Sequence, residues 1–347
     1  MTYIDDINRV ASMDIPWEDL IGKNILITGA TGMIGSTLIE VLLSHEDIGY
    51  HIYASGRNED RFNRLFSKYI NSPRLHFIKY DVREPLKSNV NFHIIIAAAG
   101  VASPQLYATN PVSVLTSNFY GVDNLFSYGI RHKLERVIYV SSGEVYGEGD
   151  GRIFTEDYSG YVNCATVRAC YPSAKRASES LCIAYGKQYG INVRIARPCH
   201  IYGPNFSASD KRVYAQFIRN VLNEEDIVLK SSGRQYRSWC YVIDCVSALL
   251  YILLKGENGQ AYNVADESSN ITIRELADVI ADIARKKVII DLQSNEENTG
   301  YSVVSKSIFS TEKLRMLGWK NSGSLRSNLI KTIEAVKDRY ATFTAKP

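Results

Sequence analysis

Tyr171 and Lys175 stand four residues apart in the stretch RACYPSAKRASESL, at the start of a helix-like run. At that spacing both side chains lie on one helical face, one above the other. A phenol can hold or release a proton, and an ammonium beside it lowers the cost of the phenolate. The same pair also arises as a packed ring with a snorkelling amine. Chemistry therefore needs a cofactor, a third polar group and a cleft. Ser142, in VSSGEVYG, supplies a hydroxyl. Ser142, Tyr171 and Lys175 together form an acid–base set for moving a proton on a carbinol or carbonyl oxygen while hydride moves on carbon.

The cofactor signal lies upstream. The run NILIT leads directly into TGATGMIG and then STLIEVLL. Gly29, Gly32 and Gly35 thus sit between a strand and a helix, where glycines permit a tight turn and backbone approach to a pyrophosphate at the helix N-terminus. The second strand ends in ASGRNEDR, so Ser55, Gly56 and Arg57 stand where a carboxylate would bond the ribose hydroxyls of NAD. An arginine there can pair with the 2′-phosphate of NADP. The cofactor is read as NAD or NADP, with Arg57 favouring NADP; the other reading of Arg57 is a solvated residue opening the next helix. Asp81, in KYDV, is placed either to bond the adenine amine or to form a turn.

Positioning such groups requires a sheet. Short, continuously apolar runs begin at Asn24, His51, Leu75, His93, Arg136 and Asn192, and helical patterns separate them. This is the signature of a parallel sheet covered on both faces. The fold class is α/β, a Rossmann-like doubly wound sheet with a smaller C-terminal α/β lobe. Residues 1–20 read as an N-terminal extension, 21–198 as the dinucleotide domain, and 199–238 with 266–347 as the substrate lobe; 239–265 returns to the first domain. Thr272 and Glu275 are spaced as a capping box ahead of an amphipathic helix.

The totals exclude several classes. In 347 residues the net charge is only +3, with no Lys/Arg block to bind nucleic acid. No run is apolar and long enough for a membrane span, and the acidic N-terminus is unlike a signal peptide, so a cytoplasmic protein is expected. The six cysteines show no C-x2-C spacing and the six histidines no H-E-x-x-H, so no metal site is expected.

On these motifs the chain resembles the extended short-chain dehydrogenases/reductases of the nucleotide-sugar epimerase/dehydratase group, from about residue 21 onward. Within that group it is most similar to the UDP-glucuronate decarboxylase branch. The matching stretches are ASPQLYATNPVSVLTSN, EVYG, EDYSGYVN, RACYPSAKR, SDKRVYAQFI and RSWCYVID. The resemblance implies that Ser142, Glu144, Tyr171 and Lys175 are catalytic. It implies that Thr31, Met33, Ile34, Val82, Ala97, Ala98, Ala99, Asn118 and Pro198 join the glycines, Ser55, Arg57 and Asp81 around the cofactor. Ser103, Asn163, His200, Tyr202, Arg212 and Arg237 would face a nucleotide-diphosphate sugar. Two bidentate arginines suit a diphosphate; a surface ion pair is the other reading of each, and a packed core ring that of Tyr202. A homodimer through the helices after Asn118 and Tyr171 is likewise implied.

Two positions depart from the branch. Its members carry an acidic residue after the second strand, where this chain has SGR. They carry Ser, and related dehydratases Asp, where this chain has Gly143. Gly143 can neither protonate a leaving hydroxyl nor bond a sugar carboxylate. Decarboxylation with oxidation and re-reduction at a sugar carbinol is the leading expectation. A net NADPH-dependent reductase of a nucleotide-linked keto-sugar, and an epimerase, are the alternatives. A non-catalytic dinucleotide sensor would be expected to lose one of the three acid–base groups, and all are present.

Overall fold

The computed structural model describes residues 1–207, 210–291 and 306–344. Residues 292–305, assigned from sequence to the substrate lobe, and Ser209, which opens the SDKRVYAQFI stretch, lie outside the described residues. The strands are β1 (Asn24–Thr28), β2 (His51–Gly56), β3 (Leu75–Lys79), β4 (Ile94–Ala97), β5 (Arg136–Val140), β6 (Asn192–Pro198), β7 (His200–Tyr202), β8 (Ile227–Leu229), β9 (Tyr236–Tyr241), β10 (Gln260–Val264), β11 (Asp266–Thr272), β12 (Val288–Ile290) and β13 (Lys306–Ser307). The helices are α1 (Tyr3–Ala11), α2 (Met33–Ser44), α3 (Glu59–Leu65), α4 (Pro104–Thr109), α5 (Pro111–Arg131), α6 (Cys170–Tyr189), α7 (Val213–Leu222), α8 (Val242–Lys255), α9 (Ile273–Ala284), α10 (Glu312–Met316) and α11 (Leu325–Thr344).

Seven strands form one parallel sheet in the order β10-β6-β5-β4-β1-β2-β3. The doubly wound sheet expected from the apolar runs is therefore present. Alternation of side chains across the strands explains why both faces are apolar. Ile25, Ile27, Ile94, Ile96 and Ile138 join one buried cluster, with residues of α2 and α8. Leu26, Ile95, Val137 and Tyr139 join the opposite cluster, with residues of α5 and α6. The strand order reverses between β1 and β4, and that crevice is where ligands of open α/β sheets bind.

The chain leaves this sheet at Pro198 and returns to it late. β10 pairs with β6 in parallel, and α8 packs on α2 and β6. Between and after lie the short strands of the second lobe. β9 pairs antiparallel with β11 and parallel with β7 and β13, while β12 pairs with β8. Thr272 caps α9 as a complete box: its hydroxyl accepts from the Glu275 amide, and Glu275 accepts from the Thr272 amide at 2.7 Å.

The N-terminal segment, whose role the sequence does not declare, is a capped helix packed against α2, α8 and α11. Its Asp6 accepts from Lys331 of α11 at 2.8 Å, and both side chains are nearly sequestered from solvent. Tyr3 bonds Thr37 and Glu40 of α2 at 3.0 and 3.1 Å.

Candidate active site

The glycine turn shows which contacts forbid a side chain. Gly29 has φ +70°, and a Cβ there would lie 2.8 Å from the Ala98 carbonyl oxygen and 2.9 Å from the Ala99 amide nitrogen. The segment leaving β4 thus crosses directly over the turn leaving β1, and Thr28 Oγ1 accepts from the Ala99 amide at 3.1 Å. A Cβ on Gly35 would overlap Gly29, at 2.9 Å from its carbonyl carbon. Gly32 is exposed and caps α2 without a side-chain bond, leaving the helix N-terminus open. Thr31, Met33 and Ile34 flank this opening.

At the end of β5, Ser142 caps a short 3-10 turn, Gly143–Tyr146, and its Oγ accepts from the Glu144 amide at 3.2 Å. Tyr171 lies in the first turn of α6 and is buried, with 5% of its surface exposed. Burial pushes its phenol up to about 12; the Ser142 hydroxyl lowers it, Glu144 raises it, and Tyr107 and Arg168 lower it again. The resting phenol is therefore protonated at neutral pH. Lys175, one turn on, is buried and donates to the Val140 carbonyl at 2.9 Å. Its Nζ stands 5.8 Å from the Tyr171 ring centre, and burial pulls it down to about 8, with Glu179 opposing. At pH 7 most of it stays charged.

Asn118, in α5, donates through Nδ2 to the Val114 carbonyl at 2.8 Å, while its buried Oδ1 has no partner. A Cβ on Gly100 would fall 2.6 Å from that oxygen and 3.5 Å from Lys175 Nζ. An orphaned acceptor, a buried ammonium and a gap kept open by glycine meet beside the β4 crossing, where Ala97, Ala98 and Ala99 keep the wall thin. Together with the uncapped α2 terminus, these residues could hold a nicotinamide dinucleotide, the open helix end being suited to phosphate and the buried ammonium to a ribose hydroxyl.

Ser55 is buried at the end of β2, and Arg57 is exposed beyond it. Asp81 makes the bonds of a turn: its carboxylate accepts from the Arg83 amide at 3.0 Å and from the Arg83 guanidinium at 2.6 Å. Those bonds hold it down at about 2, with the Arg57 charge contributing less. Val82 packs against Gly121 of α5, and Pro198 is buried at the end of β6.

The substrate-side residues divide. Arg237 is buried on β9; burial pulls its guanidinium down to about 10, with Glu144 opposing. Arg212 precedes α7, bonds Asp210 through Nε at 3.0 Å, and feels the Tyr107 hydroxyl. His200 is exposed on β7, tilted against Trp239, within range of both arginine charges. Ser103 is half-buried at the start of α4. Asn163 sits on an exposed turn, its Oδ1 accepting from the Ala165 amide at 3.1 Å. Tyr202 is corrected: it is 1% exposed and packed in the core beside Tyr241, because β7 is paired to β9 and turns that ring inward. Its packed-ring reading is the one realised.

Three residues escaped the sequence reading. Arg168 donates through Nη2 to both Glu144 oxygens at 2.7 Å, so Glu144 is a neutralised rather than a bare carboxylate. Tyr107 stacks on Tyr171, with centroids 4.8 Å apart and planes 17° from parallel, and Arg168 lies over Tyr107 at 4.9 Å. Phe309 lies against Gly143. Arg168 and Tyr107 stood inside stretches already singled out, RACYPSAKR and ASPQLYATNPVSVLTSN, whereas Phe309 left no signal.

Serine, tyrosine and lysine at the carboxyl ends of a parallel sheet, facing a glycine turn, define an extended short-chain dehydrogenase/reductase. The chain belongs to the NAD dependent epimerase/dehydratase family, whose sequence pattern matches residues 25–265. It is 34% identical over 310 residues to UDP-glucuronic acid decarboxylase 6 of Arabidopsis thaliana, covering 88% of this chain and 86% of that one. It is 32% identical over 316 residues to UDP-glucuronic acid decarboxylase 1 of Danio rerio, covering 90% and 72%. The solved UDP-glucuronic acid 4-epimerase of Bacillus cereus shares the fold, with a TM-score of 0.78 at 21% identity over 91% and 100% of the two chains. This chain is an NAD(P)-dependent enzyme of the nucleotide-sugar class. Among the described residues, no group of three His, Cys, Asp or Glu could hold a metal ion, and no helix is long and apolar enough to cross a membrane.

Replacing Tyr171 by Phe keeps the ring stacked on Tyr107 and removes the only hydroxyl of that side chain. Turnover should fall by about 10²–10⁴-fold, the usual contribution of a positioned acid or base. Dinucleotide affinity, read by fluorescence titration, should change little; near wild-type turnover would remove Tyr171 from the chemistry.

Proposed function

We propose that this enzyme decarboxylates UDP-glucuronate through oxidation and re-reduction at the sugar carbinol next to the carbon that bears the carboxylate. The observation that carries this reading is the pair of arginines whose charges reach the groups around Tyr171: the Arg237 charge is felt at Glu144 and that of Arg212 at Tyr107. Arg237 is buried on β9 and Arg212 is half-buried ahead of α7. Two guanidinium groups so placed suit a substrate that carries both a diphosphate and a carboxylate. Two relatives over most of the chain's length bear the name of that activity.

Bound at the glycine turn, a nicotinamide dinucleotide would accept and return the carbinol hydrogen. Ser142 orients the sugar hydroxyl, and Tyr171 moves the proton at that oxygen. The Lys175 ammonium holds the ribose and favours the phenolate electrostatically whenever Tyr171 gives up its proton. A ketone beta to a carboxylate lets the carbon–carbon bond break with its electrons drawn toward the carbonyl oxygen. Arg168 and Glu144, mutually neutralised, add no net charge to repel the carboxylate. Incubation with UDP-glucuronate should release CO2 with no net change in nicotinamide absorbance. Stoichiometric consumption of NADPH by a nucleotide-linked keto-sugar, without CO2, would instead establish the reductase.

The cofactor is NADP(H) at least as readily as NAD(H). Arg57 is exposed at the end of β2 without a carboxylate beside it in sequence, and Asp81 is already held by Arg83. A charge-assisted hydrogen bond to a 2′-phosphate contributes about 1.5–3 kcal/mol, roughly ten- to a hundredfold in affinity. Arg57→Ala should weaken NADP(H) selectively in titrations of all four dinucleotides; an unaltered preference for NAD would make Arg57 a solvated residue.

The enzyme works as a homodimer through α5 and α6. Both helices expose large apolar side chains, among them Val112 at 69%, Tyr120 at 51% and Ile183 at 39%. Light scattering at micromolar concentration should give twice the chain mass, and a monomer would refute the arrangement. All six cysteines are free, which supports a cytoplasmic setting.

A further inference from the structure

Position 143 lies between the two groups most intimately tied to Tyr171. Ser142, before it, faces the phenol, and Glu144, after it, is clamped by Arg168. Any side chain there would project toward Phe309: a Cβ built on Gly143 falls 2.5 Å from the ring's Cε1 and closer still to Cζ. The ring's tip therefore occupies the volume of the missing side chain. Its placement is fixed from several sides. Phe309 is 2% exposed, its amide donates to Ser238 Oγ at 3.1 Å, and its ring meets Phe154 edge-on at 5.7 Å and Tyr146 at 5.6 Å. A backbone bridge to Phe154 holds the segment in line.

We propose that Phe309 is a specificity-determining residue: it fills the space that Gly143 leaves and makes that part of the cleft wall an aromatic edge. The proposal rests on the reading of Ser142 and Tyr171 as the sugar site. Adjacent Cα atoms lie about 3.8 Å apart, so an arm carried one or two bonds from the oxygen that Ser142 addresses meets position 143. The edge of an aromatic ring is the positive side of its quadrupole. It tolerates a flat carboxylate and leaves an absent arm undisturbed. A hydroxymethyl arm finds no hydrogen-bond partner on the ring, and no group at 143 can deliver a proton to a departing hydroxyl. The wall selects against sugars with a tetrahedral polar arm and against water elimination.

Binding of UDP-xylose, which lacks the arm, and UDP-glucose, which carries a hydroxymethyl, tests this on the full chain with NAD present. An unsatisfied polar group costs enough to separate the two by about tenfold or more in wild type. In Phe309→Ala the gap should close to within about threefold, a change of less than one kcal/mol remaining. Phe309→Leu, which keeps apolar bulk in the cluster but withdraws the ring edge, serves the same purpose if the alanine variant unfolds. A second arm is a mutant cycle. Gly143→Ser alone should lower the thermal midpoint and UDP-glucuronate turnover, and adding Phe309→Ala should recover at least half of the lost midpoint. An unchanged ligand ratio in a folded Phe309 variant, or strictly additive effects in the cycle, overturns the proposal. Absence of any UDP-glucuronate turnover would refute the decarboxylase reading instead, while ligand ratio and midpoint still decide the role of Phe309.

Discussion

The hydrogen bond from Lys175 Nζ to the Val140 carbonyl fixes the register of α6 against the end of β5. A buried ammonium is costly unless it is bonded, so the helix cannot slide or rotate without exposing that cost. Everything that gives Tyr171 its surroundings follows from this register. The phenol arrives one turn earlier on the same face, level with Ser142 at the strand's end. α5 is tied in as well, because Ser178 of α6 donates to the Asn118 carbonyl at 3.1 Å. The proton-handling groups are thus set by one strand terminus and two packed helices rather than by mobile loops.

The same arrangement explains why a protonated phenol and a weakened ammonium coexist. Both are desolvated, and desolvation moves acids up and bases down. The local hydroxyls and the Arg168 guanidinium offset part of this for Tyr171, while Glu179 offsets part for Lys175. A polar ligand entering between Asn118 Oδ1 and Lys175 would bring hydrogen-bonding atoms into a region that now has one orphaned acceptor. The site is built for an occupant.

Much of this was legible in the sequence, for identifiable reasons. Parallel strands buried on both faces write themselves as unbroken apolar runs, and five or more of them at regular spacing leave few topologies. A glycine turn between strand and helix is local, as is a Tyr–Lys pair four residues apart. What was not legible depends on distant parts of the chain meeting. Tyr107 stacks on Tyr171 across sixty-odd positions, a contact that no local pattern encodes. Gly143 read simply as a missing group; only the structure shows Phe309, far downstream, standing in its place. Tyr202 was misplaced because a three-residue strand gives too short an alternation to tell which way its last ring turns. Asp81 carried two local readings, and its bonds to Arg83 account for the turn.

The N-terminal helix has a mechanical consequence. Asp6 and Lys331 join the first helix to the last. α1 rests on α2 and α8 of the large sheet, whereas α11 also touches α7 and α9 of the smaller lobe. The pair is therefore a clasp between the helices on the large sheet and those that pack with β8 and β12. Breaking a buried ion pair by removing one partner costs about 3–5 kcal/mol, so α1 and α11 are held as one unit. A single buried contact thus braces the helices on the large sheet and the α7–α9 pair together.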